Sequence, residues 1–445
     1  MMYFEGKKYN IVTFGCQMNV HESEKIAGIL QDLGLIRSEN IDDADVIIFN
    51  TCCIREGAED RAFSNISALK KRKAQNPDLI IAVCGCMPQQ KQGKYDFKKK
   101  LPFVDIVIGT HNVNMLGAYL SQVVDTHKRV YEVVESPINL QEGKTTVRDD
   151  KINAYVNIIY GCNKFCTYCI VPHVRGRERS RPYQDIEDEV KDLVSKGYRY
   201  ITLLGQNVNS YGKDLEEGID FATLLTKLCK IEGEFKIKFM TSHPIDFNKD
   251  VIEVMKHEPK VAKCLHLPVQ SGNDEVLFKM NRHYNIKHYT KLIKDTKHAI
   301  KNIALSTDII VGFPGESEKA FNDTLKLLKK VKYDQVFAFM YSKRTGTPAV
   351  MLPDQVDEGI KNKRVNKLLR EQKFISKEML NACIGKTYNC LLVVQNGVTM
   401  GITDGGREIY LPNDSNDLIN HFVDIKVEDI RNHKLSGVIV NGRNK

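Results

Sequence analysis

The sequence lacks any apolar run long enough to cross a membrane. Its longest apolar stretches, such as LIIAVCGCM, fall far short of the about 20 residues that a spanning helix needs. No apolar segment follows the lysines of the first ten residues, so a secretory signal peptide is not expected. Internal repeats and low-complexity tracts are also missing. The 445 residues, 42% of them hydrophobic, instead predict a cytoplasmic protein of two or three globular domains without membrane contact.

The chain has twelve cysteines, which in a large cytosolic protein indicate metal binding or catalysis rather than disulfide bonds. Its formal net charge is +9. This excess suits an anionic partner, but it is spread over many lysines. A merely solvated basic surface therefore explains the charge equally well.

Residues 1 to about 125 alternate buried strand patterns with amphipathic helical patterns, which predicts a parallel α/β sheet. Three of the strands run directly into cysteine, at Cys16, at Cys52 and Cys53, and at Cys84 and Cys86. Ligands gather beyond the carboxyl ends of parallel strands, so the three strand ends are expected to share a metal site. Spacing alone leaves open which member of each pair binds. A single cysteine of this kind is more often a small buried hydrophobe.

Six further strand patterns, with helical patterns between them, occupy about 230 residues of the middle of the chain. Their sequences are AYVNIIYG, YITLLGQNVN, KIKFMTSHP, CLHLPVQS, IALSTDIIVGFPG and DQVFAFMYS. Six βα units are too few for a closed eight-stranded barrel, so we predict a partial (βα)6 barrel with its chemistry at the carboxyl ends of the strands. The polar stretch NLQEGKTTVRDD, residues 139–150, leads into it.

A basic helical segment, residues 358–380, precedes short β-like runs with Gly, Asn and Asp turns. These runs predict a small all-β barrel of the kind used on RNA. Residues 381–445 hold seven basic and seven acidic residues, so charge gives no argument for RNA binding there. Six basic residues fall between positions 361 and 373, although such a run is more often a solvated helix face.

The segment GCNKFCTYC places Cys162, Cys166 and Cys169 on a loop directly after the first barrel strand, and Gly161 permits the sharp exit. Structural zinc sites usually take four ligands in two separated pairs. Three thiolates so close together instead suit a cubane iron–sulfur cluster with its fourth iron open. His173 lies near enough to leave zinc as an alternative. The same reasoning predicts a second open cluster at the three N-terminal strand ends.

Together these motifs resemble the methylthiotransferase family, and within it the bacterial MiaB type. CxxxCxxC after a first barrel strand is the radical S-adenosylmethionine (radical SAM) signature. The family's other motifs occur in the same order: FGCQMNVHES, NTCCIRE, CGCMPQ, GCNKFCTYCIVPHVRGRERSR, TSHP, LHLPVQSGN and GFPGE. The resemblance covers essentially the whole chain. It implies a methylthiotransferase N-terminal domain at 7–125, a radical SAM core at 148–380 and an RNA-binding TRAM domain at 383–445.

The resemblance also implies the site residues. The ligands of the 4Fe-4S cluster that binds S-adenosylmethionine would be Cys162, Cys166 and Cys169. The ligands of an auxiliary 4Fe-4S cluster would be Cys16, Cys52 and Cys86, with Cys53 and Cys84 as bystanders. The residues implied to contact S-adenosylmethionine are Tyr168, Gly205, Gln206, Asn207, Gly312 and Gly315. Glycine at a strand exit is also explained by a turn alone.

The implied reaction is methylthiolation of carbon 2 of N6-dimethylallyladenosine at position 37 of tRNA. Radical chemistry would activate a C–H bond that no acid or base could ionise, while the auxiliary cluster supplies sulfur and a second S-adenosylmethionine supplies the methyl group. The alternatives are methylthiolation of threonylcarbamoyladenosine in tRNA or of a ribosomal-protein aspartate. A cluster-bearing electron carrier or RNA-binding sensor is the rival without catalysis. TSHP, residues 241–244, resembles the tRNA-modifying branch of the family rather than the branch that acts on ribosomal protein. For His243 a structural role is a simpler interpretation than proton transfer.

Arg175, Arg177, Arg179 and Arg181 follow the cluster loop at alternate positions. In an extended segment they would face one way and form a phosphate-binding strip for nucleic acid. Pairing with acids such as Glu178 is the competing explanation. The implied partners are the anticodon stem-loop of tRNA, an electron donor such as flavodoxin or ferredoxin, and a donor of sulfur or clusters. We expect a monomer.

Overall fold

The computed structural model describes residues 3–53, 56–91, 95–136, 146–395, 397–411, 416–431 and 434–441. The chain forms two compact units. The first consists of Met1–Asp150, Tyr160–Arg181 and Ser342–Val350, and the second of Lys151–Ile159, Pro182–Tyr341 and Met351–Lys445. The domain boundaries at 7–125, 148–380 and 383–445 stay a prediction, because these units follow packing rather than chain order. Residues 139–145 of the polar stretch NLQEGKTTVRDD lie outside the described residues.

The N-terminal part of the chain forms a parallel sheet, as predicted. Its strands are β1 (Lys8–Thr13), β2 (Ile36–Arg37), β3 (Val46–Thr51), β4 (Ile80–Gly85), β5 (Ile106–Ile108) and β6 (Val130–Glu132). Its helices are α1 (Gln17–Asp32), α2 (Glu56–Ala68), α3 (Lys70–Gln75), α4 (Cys86–Gln89), α5 (Phe97–Lys100) and α6 (Leu116–Thr126). The strand order is β2-β1-β3-β4-β5-β6.

Strands β3 and β4 are buried along their whole length, which is why they read as continuous apolar runs. Alternate residues supply two separate apolar cores, so Ile48 and Ala82 face one side of the sheet while Ile47 and Val83 face the other. Strands β1, β3 and β4 are parallel neighbours. Their carboxyl ends, where the cysteines follow, therefore meet at one edge of the sheet.

Within the described residues 146–386 the chain forms eight strands and eight α-helices. The strands are β7 (Asn153–Asn157), β8 (Ile159–Tyr160), β9 (Arg179–Ser180), β10 (Tyr200–Leu204), β11 (Lys236–Phe239), β12 (Cys264–His266), β13 (Ala304–Val311) and β14 (Gln335–Met340). The helices are α7 (Val171–Arg175), α8 (Tyr183–Ser195), α9 (Phe221–Cys229), α10 (Lys249–His257), α11 (Asp274–Lys279), α12 (Ile286–Ala299), α13 (Glu318–Val331) and α14 (Glu358–Asn381).

Six of these strands form the partial barrel. They pair in parallel as two sheets, β11-β10-β7 and β12-β13-β14. An isolated parallel bridge joins Ile237 of β11 to Val261, three residues before β12 begins. The surrounding helices bury their apolar faces against the strands in one large core. The predicted (βα)6 barrel is confirmed.

The C-terminal strands form the predicted all-β barrel. They are β15 (Thr387–Gln395), β16 (Val398–Thr403), β17 (Glu408–Tyr410), β18 (Phe422–Arg431) and β19 (Lys434–Asn441), closed in the order β15-β16-β17-β19-β18. This barrel packs on the amino ends of the β11 and β12 strands. Asp404 accepts a hydrogen bond from Lys236 Nζ at 2.7 Å and from the Lys263 backbone N–H at 2.9 Å. None of the described helices combines the length and apolar character needed to cross a membrane.

Candidate cluster and cofactor sites

The three predicted ligands of the auxiliary cluster stand at the carboxyl edge of the N-terminal sheet. Cys16 is the N-cap residue of α1, just beyond β1. Cys52 directly follows β3, and Cys86 begins α4 directly after β4. Cys52 and Cys86 are buried, while Cys16 is half-buried. The sheet register therefore brings together cysteines that lie far apart in the sequence.

Two glycines with positive φ make this edge compact. Gly15 has φ +116°, and a Cβ there would lie 2.8 Å from Cys52 Sγ. Gly85 has φ +96°, and a Cβ there would lie 2.5 Å from the Thr51 carbonyl oxygen. Both positions need glycine, since any side chain would fill the space beside the cysteines.

Gly85 also separates its two cysteine neighbours. Residues two apart in a strand face the same side, but the turn at Gly85 ends the strand before Cys86. Cys84 packs into the core beneath α1 and α6, where burial raises the pKa of its thiol. Cys86 packs on the opposite side of the sheet. The two therefore occupy different environments, as the assignment of one ligand and one bystander requires.

Cys53 remains close to the predicted ligands. Its thiol hydrogen-bonds Cys86, and this bond raises the pKa of Cys53 well above its ordinary value. The same bond, together with the positive charge of Arg175, lowers the pKa of Cys86 to about 6. The lowered pKa favours the thiolate of Cys86, and the thiolate is the form that ligates metals.

Arg175 lies at this same edge. Its guanidinium donates a hydrogen bond to Asn19 Oδ1 at 2.8 Å and also hydrogen-bonds Cys86. Its charge acts on Cys16 as well. The side chain is only 8% exposed. A buried guanidinium needs anionic or polar partners, and here two of the predicted cluster ligands supply them.

A small cavity of about 40 Å³ adjoins Arg175. Its walls include Glu22, Gly85, His111 and Arg179. Burial, together with the two arginines, lowers the pKa of His111 to about 4, so this imidazole is neutral near pH 7. The cavity is large enough to hold water next to the Gly85–Cys86 turn.

The geometry predicted for the four arginines is wrong. They do not share one extended segment, because α7 continues through Arg175 and Gly176 then turns the chain at φ +75°. Arg175 and Arg181 are buried, Arg179 is half-buried and Arg177 is exposed. Contact of these arginines with nucleic acid stays a prediction, and Arg177 is the member best exposed for it.

The second cysteine set occupies the loop between β8 and α7. The Cys162 backbone N–H donates to the Gly176 carbonyl at 3.1 Å, and the Cys169 N–H donates to the Cys166 carbonyl at 2.9 Å. Burial raises the pKa of Cys162 to about 11. Gly161 has φ +75°, and a Cβ there would lie 2.0 Å from the carbonyl oxygen of Arg177. The loop is therefore closed tightly onto the segment that follows it.

Further contacts fix the tip of this loop. The Arg177 guanidinium carbon lies 4.5 Å from the centre of the Phe165 ring. The Ala349 backbone N–H donates to the Thr167 carbonyl at 2.9 Å, directly before the half-buried Tyr168. His173 is exposed. Its role as a zinc ligand gains no support from these contacts.

In the described ranges, no three His, Cys, Asp or Glu side chains lie close enough to hold one metal ion. A cubane cluster bonds each thiolate to a different iron, so its ligands need not converge on a single point. Both cysteine sets present thiol groups from glycine-shaped turns at strand ends. Their donor chemistry fits two iron–sulfur clusters.

The barrel strands carry a polar rim at their carboxyl ends. Asn207 Nδ2 donates to Asp246 Oδ2 and to Ser210 Oγ, both at 2.7 Å. Gly205 allows close packing, because a Cβ there would lie 2.4 Å from Ile159 Cγ2. Gln206, between them, is half-buried. Contact of Gly205, Gln206 and Asn207 with S-adenosylmethionine stays a prediction.

Some buried polar atoms of this rim have no hydrogen-bond partner among the described residues: Asn207 Oδ1, Asn209 Oδ1 and Nδ2, Ser242 Oγ and Gln270 Oε1. Each buried polar group left unsatisfied costs about 1–3 kcal/mol. Thr241 and Gln270 also have positive φ, +67° and +69°. Unsatisfied polar groups and strained backbone are common at sites that a bound polar ligand completes. Asn209 and Gln270 are not among the site residues predicted from the sequence, although both fall in the last residues of predicted strand patterns, YITLLGQNVN and CLHLPVQS.

His243 is buried in the same rim. Its Nδ1 accepts a hydrogen bond from the Ile245 backbone N–H at 3.3 Å. The ring packs edge-to-face on Tyr284, with 5.8 Å between ring centres. These contacts favour the structural interpretation of His243.

The GFPGE segment follows β13 and contacts α14. Gly312 N–H donates to Glu316 Oε1 at 2.9 Å, and Arg364 Nη1 lies 2.7 Å from the same oxygen. Burial raises the pKa of Glu316. Both predicted glycines have positive φ, which favours glycine, and a Cβ at Gly312 would also lie 2.3 Å from Lys361 Cγ. Backbone conformation therefore explains both glycines, and their contact with S-adenosylmethionine stays a prediction.

Two family models match the chain. The Radical SAM superfamily matches residues 156–328, and the Uncharacterized protein family UPF0004 matches residues 8–109. The two matches correspond to the two segments that carry the cysteine sets.

Three relatives that share one name match this chain over nearly its full length. A tRNA-2-methylthio-N(6)-dimethylallyladenosine synthase of Clostridium botulinum (strain Langeland) is 49% identical over 97% of this chain and 96% of its own. The enzyme of that name from Clostridium beijerinckii is 45% identical over 98% of this chain and 96% of its own. The one from Caldicellulosiruptor saccharolyticus is 44% identical over 98% of this chain and 93% of its own.

Among solved structures, the radical S-adenosylmethionine methyltransferase TsrM from Kitasatospora setae, with cobalamin and a [4Fe-4S] cluster bound, has a TM-score of 0.53. It is 11% identical and covers 78% of this chain and 74% of its own. The apo form of the cobalamin-dependent S-adenosylmethionine radical enzyme OxsB has a TM-score of 0.54 at 14% identity. The match covers 84% of this chain and 57% of the OxsB chain. These structures support the fold alone. The sequence relatives carry the assignment, and the chain belongs to the MiaB-type methylthiotransferase family, that of the tRNA-2-methylthio-N6-dimethylallyladenosine synthases.

Proposed function

We propose that the protein is a radical S-adenosylmethionine enzyme that methylthiolates carbon 2 of N6-dimethylallyladenosine at position 37 of tRNA. The observation that carries this proposal is the 49% identity, over 97% of the chain, to a relative named for this product. Methylthiolation of threonylcarbamoyladenosine or of a ribosomal-protein aspartate is not favoured, because the full-length relatives described above carry the dimethylallyladenosine name.

The six cysteines at the two strand-end sites are the groups that would hold the clusters. They are Cys16, Cys52 and Cys86 for the auxiliary cluster, and Cys162, Cys166 and Cys169 for the cluster that binds S-adenosylmethionine. When bound, these cofactors supply the one-electron chemistry, the sulfur and the methyl group that protein side chains cannot provide.

The chain's own contribution at the auxiliary site is electrostatic. Arg175 places a permanent positive charge against Cys86 and near Cys16. The hydrogen bond from Cys53 and this charge both lower the pKa of Cys86, which favours the thiolate that binds iron. Gly15 and Gly85 leave the space beside these sulfurs free of side chains.

At the barrel rim the chain supplies hydrogen bonds. Asn209, Ser242 and Gln270 present buried donors and acceptors that a nucleobase edge or S-adenosylmethionine would satisfy. Sites that hydrogen-bond their substrate discriminate strongly against molecules lacking the matching group. Burial keeps water from competing for these atoms.

Two further partners belong to the proposal. A reductant such as flavodoxin or ferredoxin is needed because cleavage of S-adenosylmethionine consumes an electron. A donor of sulfur or of clusters is needed because each product takes up one sulfur atom. Both requirements come from the balance of the reaction.

Mass spectrometry of tRNA nucleosides from a strain that lacks the gene tests the function. We expect the 2-methylthio nucleoside to disappear and N6-dimethylallyladenosine to accumulate. The gene should restore the product, whereas a gene encoding Cys162→Ala, Cys166→Ala and Cys169→Ala should not. An unchanged nucleoside profile in the deletion strain would refute the proposal. A purified protein that binds iron but releases no 5′-deoxyadenosine from S-adenosylmethionine would instead support the non-catalytic sensor.

A further inference from the structure

Five basic side chains line one exposed face of α14. They are Lys363, Lys367, Arg370, Lys373 and Lys377, called the α14 stripe below. Steps of four, three, three and four residues keep them on the same side of a helix with 3.6 residues per turn. At 1.5 Å per residue the stripe is about 21 Å long.

The positive charge of the stripe is not cancelled by acids of the helix. Each acidic residue of α14 already pairs elsewhere: Glu358 with Lys361, Glu371 with Lys329 and Glu378 with Lys332. No stripe residue forms a salt bridge within the part of the chain that the structure describes. An ordinary solvated helix face mixes both signs of charge, and this one does not.

The other basic residues of α14 have a different role. Lys361 and Arg364 are buried, at 3% and 7% exposure. Lys361 Nζ donates to the Tyr341 carbonyl at 3.0 Å, and Arg364 pairs with Glu316. These two anchor the buried face of the helix against the barrel, and the stripe faces away from them.

The helix runs from the polar rim of the barrel to the C-terminal β barrel. Its first turn contacts Tyr341 and Gly312, which follow the carboxyl ends of β14 and β13. Farther along, Gln372 Nε2 donates to the Tyr333 carbonyl, just before the amino end of β14, at 2.9 Å. The helix ends at Asn381, six residues before β15 begins. The stripe therefore extends between the polar rim of the (βα)6 barrel and the C-terminal β barrel. These are the two parts where we expect contact with RNA.

An exposed aromatic side chain adjoins the stripe. Phe374 is 73% exposed and lies four residues after Arg370 and three before Lys377, so it borders the same face. Basic residues beside an exposed aromatic ring suit a nucleic acid, since the cations neutralise phosphates and the ring stacks on an unpaired base. An acidic protein partner would use the charges but would have no need of the ring.

We propose that the α14 stripe binds the phosphate backbone of the tRNA whose base is modified. This inference rests on the proposed function and names the surface that holds its substrate. Each phosphate neutralised releases counterions, so the contribution of the stripe must appear in the salt dependence of binding.

The test compares two triple variants with matched charge changes. Lys363→Gln, Lys367→Gln and Arg370→Gln remove three charges from the stripe. Lys287→Gln, Lys291→Gln and Lys294→Gln remove three from exposed positions of α12 at the same spacing. Binding of the unmodified tRNA is titrated over a series of KCl concentrations. We expect the stripe variant to bind more weakly and its log–log salt slope to flatten by about 0.7 to 0.9 for each lost contact, with the α12 variant near the parent.

Parental affinity and slope in the stripe variant would overturn the inference, as would equal losses in both variants. A stripe variant that keeps tRNA binding but loses reduction by flavodoxin, with dithionite still effective, would assign the surface to an acidic protein instead. Should the triple variant fold poorly, the single variant Lys373→Gln is measured instead. We expect its log–log salt slope to flatten by about the amount of one phosphate contact, and an unchanged slope would contradict the inference.

Failure of the proposed function would look different. Release of 5′-deoxyadenosine with dithionite and without tRNA should be parental in both triple variants, because neither touches the cysteine sites. A parent that binds tRNA through the stripe yet forms no 2-methylthio nucleoside would contradict the function and leave the surface standing.

Discussion

Replacing Gly161 with alanine should displace the loop that carries Cys162, Cys166 and Cys169. Gly161 has φ +75°, a conformation that costs other residues about 1–2 kcal/mol. The added Cβ would lie 2.0 Å from the Arg177 carbonyl oxygen, whereas Cβ atoms essentially never approach within 3.0 Å. One of the two backbones must therefore move by about 1 Å. Overpacking of this kind costs about 1–3 kcal/mol more.

A displacement of about 1 Å near reacting groups can lower a rate about 100-fold. We therefore expect Gly161→Ala to release 5′-deoxyadenosine about 100-fold more slowly than the parent, with S-adenosylmethionine and dithionite in excess. Gly197→Ala is the matched control. Gly197 has φ +88°, but nothing lies within 4 Å of an added Cβ, so only the backbone cost applies and cleavage should be parental.

Iron content and circular dichroism are measured on both variants, to separate a displaced cluster from a lost one. Either a slower reaction with full iron or selective loss of one cluster agrees with a displaced loop. Equal cleavage rates in the two alanine variants, both at parental iron content, would refute the reasoning. The contact between Gly161 and Arg177 would then have no part in positioning Cys162.

Changing Cys162, Cys166 and Cys169 together to alanine should leave one 4Fe-4S cluster per chain where the reconstituted parent has two, and unchanged iron would contradict this. Cys53→Ala and Cys84→Ala should retain the auxiliary cluster while Cys52→Ala and Cys86→Ala lose it, so equal iron loss in all four would show the ligand assignment to be wrong. Arg177→Gln should weaken tRNA binding and flatten its salt slope by about 0.7 to 0.9, with full iron. Arg175→Gln should instead lower the content of the auxiliary cluster, because it removes a buried charge beside Cys86. Loss of iron in the Arg177 variant with full iron in the Arg175 variant would refute the roles given to these two arginines.

The sheet and both barrels could be predicted because their patterns are local. Continuous apolar runs indicate the buried parallel strands, as in β3 and β4, and short alternating runs with turn residues indicate the closed β barrel. The loop from Cys162 to Cys169 is local too, since eight residues fix its spacing. The convergence of the N-terminal cysteines depends on the pairing of three strands. It could still be predicted, because ligands gather beyond the carboxyl ends of parallel strands.

Alternate spacing predicts an extended chain, and this prediction misplaces Arg175, which ends α7. The sequence held a contrary signal. Pro172 stands in the first turn of α7 and Gly176 directly follows its end, which is the usual asymmetry of a short helix. A helix ending at Arg175 turns that side chain away from Arg177, so the four arginines cannot form one strip.

Helical periodicity separates the buried basic residues of α14 from the exposed ones, but it cannot name their partners. Leu368 and Ile375 mark the buried face, and stepping back four and seven residues from Leu368 gives Arg364 and Lys361. A charge on that face persists only where a partner meets it. Glu316, the partner of Arg364, lies 48 residues earlier in the chain. Arg175 poses the same problem, since Asn19 lies 156 residues before it. Local patterns can therefore assign a cation to the interior, but the anion or amide that keeps it there is fixed by the tertiary fold.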